Sequence, residues 1–386
     1  MRSEKLSEPY KGFEQGPIRP PSEAQSLLIR VTRNCPWNRC TFCPVYKKHK
    51  FSLRPVEHVI RDIDTVHKYI EILVQQADAK VGRAGINKIL ENITDEESQA
   101  FHAAMHWFSG GMKSVFIQDA NSLIIKPADL IDILRHLKKC FPQAERITSY
   151  ARSHTIARIK DDDLKAIREA GLNRIHIGLE SGSDKVLEMV RKGVTKESHI
   201  KAGLKVIQAG IELSEYVMPG LGGRALSEEH ALETADALNQ INPHFIRLRT
   251  LAIPSRSGKL FEDYQSGRFE KCTDLMMTQE ILMFINNLKG IGSVLKSDHI
   301  LNLFEELEGT FPQDKPRFLN ILNTFLNMEP ERRYLYQVGR RLGIFSRISD
   351  MDSPRRLQRV EETCRQLGIT PENVDAATDE LMRRFV

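Results

Sequence analysis

Six short runs of β-branched and apolar residues alternate with amphipathic stretches, and this alternation constrains the fold more than any other feature of the chain. The runs cover residues 27–31, 114–117, 146–150, 174–179, 212–218 and 245–251. From the second run onward they recur about every 30–40 residues, the length of a strand, a loop and a helix together. Parallel strands need a crossover of this length, so the pattern predicts a mostly parallel sheet covered by helices.

Six strand–helix units are too few for a closed eight-stranded barrel. We therefore predict an α/β fold, a partial parallel (βα)6 barrel with a helical C-terminal extension, and a doubly wound sheet is the alternative. Residues 1–24 are expected to form an extended leader, and residues 25–270 to form the barrel with a helical insertion over about residues 64–110. Residues 271–386 are expected to be helical. In either fold, functional side chains gather at the carboxyl ends of the strands.

Composition excludes several classes of protein. Hydrophobic residues make up 41% of the chain and charged residues 28%, which is typical of a globular protein and not of a disordered one. The 56 Lys and Arg residues exceed the 51 Asp and Glu residues by five, too few to indicate nucleic-acid binding by themselves. No apolar run is long enough for a spanning helix, and the N-terminus lacks the apolar core of a secretory signal. We therefore expect a cytoplasmic protein that does not use a membrane.

Three cysteines lie close together immediately after the first predicted strand. Cys35, Cys40 and Cys43 form a CxxxxCxxC pattern, while Cys140, Cys272 and Cys364 are isolated and are expected to be inert core thiols. Three thiolates can hold three irons of a [4Fe–4S] cluster and leave the fourth iron open to another ligand. The loop therefore predicts a cluster at the mouth of the sheet.

Structural zinc is the alternative for the same loop. Zinc takes four ligands, and His49 could complete a site of three cysteines and one histidine. Under this interpretation the chain is a non-catalytic α/β protein that binds RNA or a protein partner through the basic helices near its C-terminus.

The cysteine loop, the aromatic Phe42 before its third cysteine and the six strand–helix units resemble the radical S-adenosylmethionine (SAM) superfamily over roughly residues 25–265. The loop is one residue longer between its first two cysteines than the common CxxxCxxC. The resemblance implies an oxygen-sensitive enzyme that binds a [4Fe–4S] cluster through Cys35, Cys40 and Cys43 and cleaves SAM to a 5′-deoxyadenosyl radical. It also implies an electron donor such as flavodoxin or ferredoxin and a substrate still to be identified, with a small molecule favoured over RNA.

Residues 178–195 resemble the corresponding segment of methylthiotransferases, the anaerobic coproporphyrinogen oxidase and the elongator catalytic subunit. In that branch of the family, the position of Glu180 contacts the ribose or methionine part of SAM, and the position of Lys192 pairs with its carboxylate. Residues 217–223, which include Met218 and Gly220, resemble the turn that lies under the adenine. The alternatives remain open: two solvated charges on a helix, and an ordinary tight turn.

Three more residues occupy places where the family binds SAM. Asp119 or Asn121 stands where the second-strand motif binds the amino group, although the GGE letters of that motif are absent. Arg152, at the end of the third strand, could contact the carboxylate or a substrate anion. Helix capping for Asp119 and Asn121, and a surface position for Arg152, are equally compatible with the sequence.

The C-terminal region contributes two further candidates. His299 lies near a predicted helix and could contact substrate or donate a proton, or serve as a cap or core residue. A basic strip, residues 332, 333, 340 and 341, could meet an anionic partner, but a solvated helix face is the default expectation.

Overall fold

The computed structural model describes residues 8–79, 93–253 and 258–383. The chain divides into two compact units. The first unit comprises residues 1–38, 45–176 and 205–212, and the second unit comprises residues 39–44, 177–204 and 213–386. Among the described residues, no helix combines the length and the apolar character needed to cross a membrane.

The first unit is built on parallel strands. Strand β1 (Leu27–Arg30) pairs in parallel with β4 (Ser114–Gln118), which pairs in parallel with β5 (Arg146–Ala151). Two short strands, β2 (Thr32–Arg33) and β3 (Ser52–Leu53), pair antiparallel on either side of the cysteine loop. Strand β6 (Arg174–Glu180) begins in the first unit and ends in the second.

The second unit continues the same architecture. Strand β7 (Glu212–Val217) pairs in parallel with β8 (Phe245–Leu248), and β8 pairs in parallel with β9 (Val294–Lys296). A final strand, β10 (Gly309–Thr310), is antiparallel to β9. All six predicted strands are present, and the predicted α/β class with mainly parallel strands is confirmed.

Helices connect these strands as the amphipathic patterns predict. The helix Pro127–Cys140 begins with a proline at its first turn, where no backbone hydrogen bond is lost, and buries Leu130, Leu134 and Leu137 on one face. Within the described residues, the other α-helices are Val56–Asp78, Asp95–Ser109, Ser153–Ile156, Asp161–Glu169, Asp184–Met189, Lys196–Gln208, Gly223–Ile241, Lys259–Gln265, Asp274–Asn287, Lys315–Leu326, Pro330–Arg341, Pro354–Leu367 and Val374–Met382.

The insertion after β3 differs from its prediction in one respect. The insertion was expected to begin at about residue 64, but one continuous helix, Val56–Asp78, begins before that position and runs through it. Its buried Val59, Ile63, Val66 and Ile70 follow one another at three- and four-residue intervals, so one apolar stripe crosses the expected boundary without a break. Residues 80–92 of the predicted insertion lie outside the described residues.

The region after residue 270 is not entirely helical, contrary to expectation. Strands β9 and β10 have only three and two residues, too few to show an alternating pattern. β9 is a strand because it pairs in parallel with β8, with Val294 opposite Phe245. The sheet therefore extends into sequence whose local pattern carries no strand signal.

The expected basic strip is also wrong for two of its four residues. Arg340 and Arg341 are buried, and their guanidinium groups pair with Glu305 at 2.6 Å and with Asp274 at 2.7 Å. A buried arginine is stable only with a partner for its charge. These two side chains therefore stabilise the packing of the C-terminal helices and do not form a surface for an anionic partner.

Candidate active site

The cysteine loop begins where β2 ends, and backbone geometry bends it sharply. Asn34 and Asn38 both adopt positive φ angles, 68° and 45°, a conformation that asparagine tolerates better than most residues. All three loop cysteines are partly exposed. The backbone N–H of Asn38 donates to Cys35 Sγ over 3.4 Å, the kind of hydrogen bond that orients a sulfur ligand of a metal.

The second half of the loop packs within the second unit. The backbone N–H of Thr41 donates to the carbonyl of Val190 over 3.0 Å. Phe42 packs against a buried apolar cluster that includes Val186, Val190 and Met218. Phe42 therefore holds the stretch between Cys40 and Cys43 against the ends of the following strands and helices. Two of the residues implied by the resemblance, Phe42 and Met218, belong to one packed cluster.

Glu180 and Lys192 form a partly buried ion pair. Lys192 Nζ lies 3.0 Å from Glu180 Oε1, and each side chain is only 13% exposed. Lys192 Nζ also lies 5.7 Å from the centre of the Phe42 ring, which places a positive charge next to the cysteine loop. Glu180 ends β6 with a φ of 64°. The two residues are therefore not the solvated helix charges of the alternative interpretation.

The lack of a side chain at Gly178 leaves room for this pair above β6. A Cβ at this position would lie 2.2 Å from Glu180 Oε1 and 3.0 Å from Lys192 Nζ. The ends of the two charged side chains thus occupy the space that any other residue would need. The glycine is required here by close approach of the pair.

The turn at residues 217–223 is tied to β6 and to two helices. The N–H of Met218 donates to the carbonyl of Glu180 over 3.0 Å, and the N–H of Gly220 donates to Glu280 Oε1 over 2.7 Å. His230 Nε2 donates to the carbonyl of Met218 over 3.1 Å. Gly220 has a φ of 83°, which favours glycine. The sequence pattern did not indicate His230, which lies 12 residues after Met218, or Glu280, which lies 60 residues after Gly220, because both are on helices whose contacts with the turn form only in the fold.

Glu215 is a site residue that sequence reasoning missed. Its side chain on β7 is fully buried. Burial raises its pKa well above the ordinary value and the nearby Glu180 raises the pKa further, while Lys192 and a backbone hydrogen bond from Leu179 oppose them. Burial therefore favours the protonated form of Glu215, close to the charged pair.

Asp119 and Asn121 lie in the first unit and are already engaged. Asp119 accepts hydrogen bonds from Arg30 Nε at 2.9 Å, from the backbone N–H of Asn34 at 3.2 Å and from the hydroxyl of Tyr46. Since Asn34 precedes the cysteine loop and Tyr46 follows it, Asp119 fixes both ends of the loop.

The side chain of Asn121 also forms hydrogen bonds within the first unit. Its Oδ1 accepts from the backbone N–H of Arg152 over 2.9 Å, and its Nδ2 donates to Thr155 Oγ1 over 2.8 Å. The Arg152 guanidinium lies 5.0 Å from the centre of the Trp37 ring. Trp37 belongs to the cysteine loop, so Arg152 reaches the loop and Asn121 positions the backbone of Arg152.

His299 follows the carboxyl end of β9. Burial lowers the pKa of its imidazole to about 4, the positive charge of Arg249 lowers it further, and Asp298 opposes them. Its Nδ1 accepts from the N–H of Leu301 over 3.3 Å. His299 is thus a neutral hydrogen-bonding group near a cation at the ends of β8 and β9.

The donor groups fit the cofactors that the resemblance implies. Three partly exposed thiols in one loop, with a backbone N–H directed at one sulfur, suit a [4Fe–4S] cluster with one open iron. A positive ammonium beside that loop and the fully buried Glu215 carboxyl group near it suit a polar, zwitterionic ligand such as SAM.

Residues 29–236, more than half of the chain, match the model of the radical SAM superfamily. The tRNA-2-methylthio-N(6)-dimethylallyladenosine synthase of Hahella chejuensis is 24% identical over 289 residues, which cover 73% of this chain and 56% of that protein. The 4′-phospho-dehydrooxetanocin synthase of Priestia megaterium is 30% identical over 196 residues, which cover 49% of this chain and 22% of that protein.

Among solved structures, coproporphyrinogen III oxidase (HemN) from Escherichia coli has a TM-score of 0.43 and 15% identity, covering 68% of this chain and 52% of that one. The chain spans about half the length, or less, of the curated relatives it matches. The extent of the family match is what decides the assignment. The chain therefore belongs to the radical SAM superfamily, whose members are enzymes that bind a [4Fe–4S] cluster and SAM, and the non-catalytic zinc alternative is wrong.

Proposed function

We propose that this enzyme cleaves SAM reductively at a [4Fe–4S] cluster held by Cys35, Cys40 and Cys43, and that the 5′-deoxyadenosyl radical acts on a small molecule in the cytoplasm. One observation carries this proposal. Phe42, which lies between Cys40 and Cys43, packs against the buried apolar side chains of the second unit and lies next to the Glu180–Lys192 pair. When bound, the reduced cluster supplies the electron that breaks the carbon–sulfur bond of the sulfonium.

Lys192 binds the carboxylate of SAM in this proposal. Its ammonium is positioned by Glu180 at 3.0 Å and is shielded from water, so a contact with a carboxylate is stronger here than on an open surface. Glu180 has a second oxygen that can accept from a ribose hydroxyl or from the amino group. Lys192 and Glu180 can therefore bind the carboxylate and the amino group of the same zwitterion.

The turn at residues 217–223 supplies a surface for the nucleoside. Met218 presents an apolar side chain from the packed cluster, and Gly220 lets the backbone approach a planar ring closely. Glu215, whose pKa is raised by burial, donates a hydrogen bond from its protonated form to an acceptor on the bound ligand. We further propose that Arg152 binds an anionic group, while Asp119 and Asn121 act by positioning the loop and Arg152.

A small, polar substrate suits the ends of β8 and β9. Exposed Arg249 offers a positive charge there, and the neutral imidazole of His299 offers a hydrogen bond. An electron donor of the flavodoxin or ferredoxin type would supply the reducing equivalent.

RNA modification is the second candidate, because one curated relative is named a tRNA-2-methylthio-N(6)-dimethylallyladenosine synthase and another a mitochondrial tRNA methylthiotransferase. The two candidates differ in how binding responds to salt. An enzyme that neutralises several RNA phosphates loses affinity steeply with added salt, by roughly one power of the salt concentration per phosphate. We expect no such binding of tRNA. Salt-dependent binding together with tRNA-dependent consumption of SAM would replace the small-molecule proposal.

Anaerobic turnover tests the central proposal. Protein reconstituted without air should hold about four irons per chain and, with SAM and dithionite, release 5′-deoxyadenosine. Cys43→Ala should lose both the iron and the product. Cys140→Ala is the matched control, since Cys140 lies outside the loop, and it should keep both. A preparation with full iron that never cleaves SAM would refute the proposal.

A further inference from the structure

A carboxylate, an imidazole and a thiol meet on the outside of the first unit, away from the cysteine loop in sequence. Asp64 belongs to the helix Val56–Asp78, and His136 and Cys140 lie four residues apart on the helix Pro127–Cys140 that packs against it. Asp64 Oδ1, His136 Nε2 and Cys140 Sγ all lie within 4.8 Å of one another. Cys140 was expected to be a buried core thiol, which is wrong, because it is only partly buried.

Both short contacts in this group involve the same atom, His136 Nε2. His136 Nε2 lies 2.6 Å from Asp64 Oδ1 and 3.5 Å from Cys140 Sγ. One imidazole nitrogen carries at most one hydrogen, so it cannot serve as donor to the carboxylate and as acceptor for the thiol at the same time. Three donor atoms that face one small volume are the arrangement that a metal ion requires, since zinc lies about 2.0–2.3 Å from each ligand atom.

The group is open to solvent. The side chain of Asp64 is 57% exposed and that of His136 is 24% exposed. A cation can therefore reach the three donor atoms without any rearrangement of the two helices.

We propose that Asp64, His136 and Cys140 bind one divalent transition-metal ion of the zinc class. A mixed oxygen, nitrogen and sulfur donor set suits zinc, whereas magnesium and calcium take oxygen ligands almost exclusively. Three protein ligands leave a fourth position for water. The bound ion would join the two helices at the outer layer of the first unit.

Zinc titration of the holoenzyme tests this site. The protein is first reconstituted anaerobically, so that the three loop thiols carry iron, and then titrated with zinc against a chromophoric chelator. We expect one zinc per chain by elemental analysis in addition to the iron. His136→Ala and Cys140→Ser should each raise the zinc Kd by about 100-fold or more, since even residues behind the ligands contribute 10–100-fold.

His102→Ala is the matched control, because His102 is an exposed histidine of the first unit that bonds only locally, to the carbonyl of Ser98 at 2.7 Å. It should leave the zinc Kd unchanged. Zinc should also raise the Tm of the wild type and of this control, but not that of Cys140→Ser, because a ligand stabilises only a form that binds it.

Equal zinc affinity of the wild type and His136→Ala would overturn the proposal and leave an ordinary hydrogen-bonded group. So would the absence of zinc beyond the iron content. Iron content and SAM cleavage, measured on the same samples, keep this outcome separate from the proposed function. His136→Ala should retain both, and far-ultraviolet circular dichroism verifies that each variant is folded.

Discussion

The Glu180–Lys192 pair offers a test of the active site in which one variant removes a charge and another only displaces it. Lys192→Ala removes the ammonium. Gly178→Ala keeps both charges but adds a Cβ that would lie 2.2 Å from Glu180 Oε1 and 3.0 Å from Lys192 Nζ. Both clashing atoms are the ends of flexible side chains, so β6 can stay in place while the pair moves.

The size of the effect follows from the burial of the pair. With both side chains 13% exposed, a charge-assisted contact between Lys192 and the carboxylate of SAM contributes about 1.5–3 kcal/mol. Since about 1.4 kcal/mol corresponds to a factor of ten, Lys192→Ala should raise the Kd for SAM by about tenfold or more. Gly178→Ala should raise it by a smaller factor, and the double variant should bind no worse than Lys192→Ala alone, because both changes act through one ammonium.

Anaerobic isothermal titration of the reconstituted enzyme with SAM measures all three Kd values. Lys185→Ala is the matched control, since its side chain is 72% exposed and pairs with Glu229 at the surface, and its Kd should not change. Two results would refute the reasoning. One is an unchanged Kd in Lys192→Ala, and the other is a double variant whose loss equals the sum of the single losses.

The strand pattern and the cysteine loop could be predicted because both are local in sequence. Strand β8 shows the limit of that signal. The apolar run was expected to end at residue 251, but the strand ends at Leu248. Beyond it, the N–H groups of Arg249 and Leu251 donate to the carbonyls of Val217 and Pro219, so the apolar residues continue along the turn and not along the sheet.

The missed site residues depend on contacts between distant segments. Glu215 lies in a predicted strand, and its pKa is raised only because the fold buries its carboxyl group and brings β7 close to Glu180. Likewise, Asp119 could be placed at a strand end, but its partner Tyr46 lies 73 residues away. Sequence can place a polar residue at the right edge of a sheet, but it does not show which hydrogen bonds are already made there.

Two further predictions concern buried charge. Arg341→Met should lower the free energy of unfolding by about 3–5 kcal/mol, measured by urea denaturation, because the Asp274 carboxylate is left buried without its charged partner. The double variant Arg341→Met, Asp274→Leu should recover this stability. A single variant as stable as the wild type would contradict the prediction. For Glu215, the folded protein holds a proton that the unfolded chain releases above about pH 4.3, since the folded pKa is raised. The stability of the wild type relative to Glu215→Gln should therefore fall as pH rises from about 5, by up to about 1.4 kcal/mol per pH unit, and level off above the folded pKa. Urea denaturation of both proteins between about pH 5 and pH 8 measures this difference, with the infrared band of a protonated carboxyl group as a second readout. A difference that stays constant over this range would mean that Glu215 is ionised in the folded enzyme and is not the hydrogen-bond donor proposed for it.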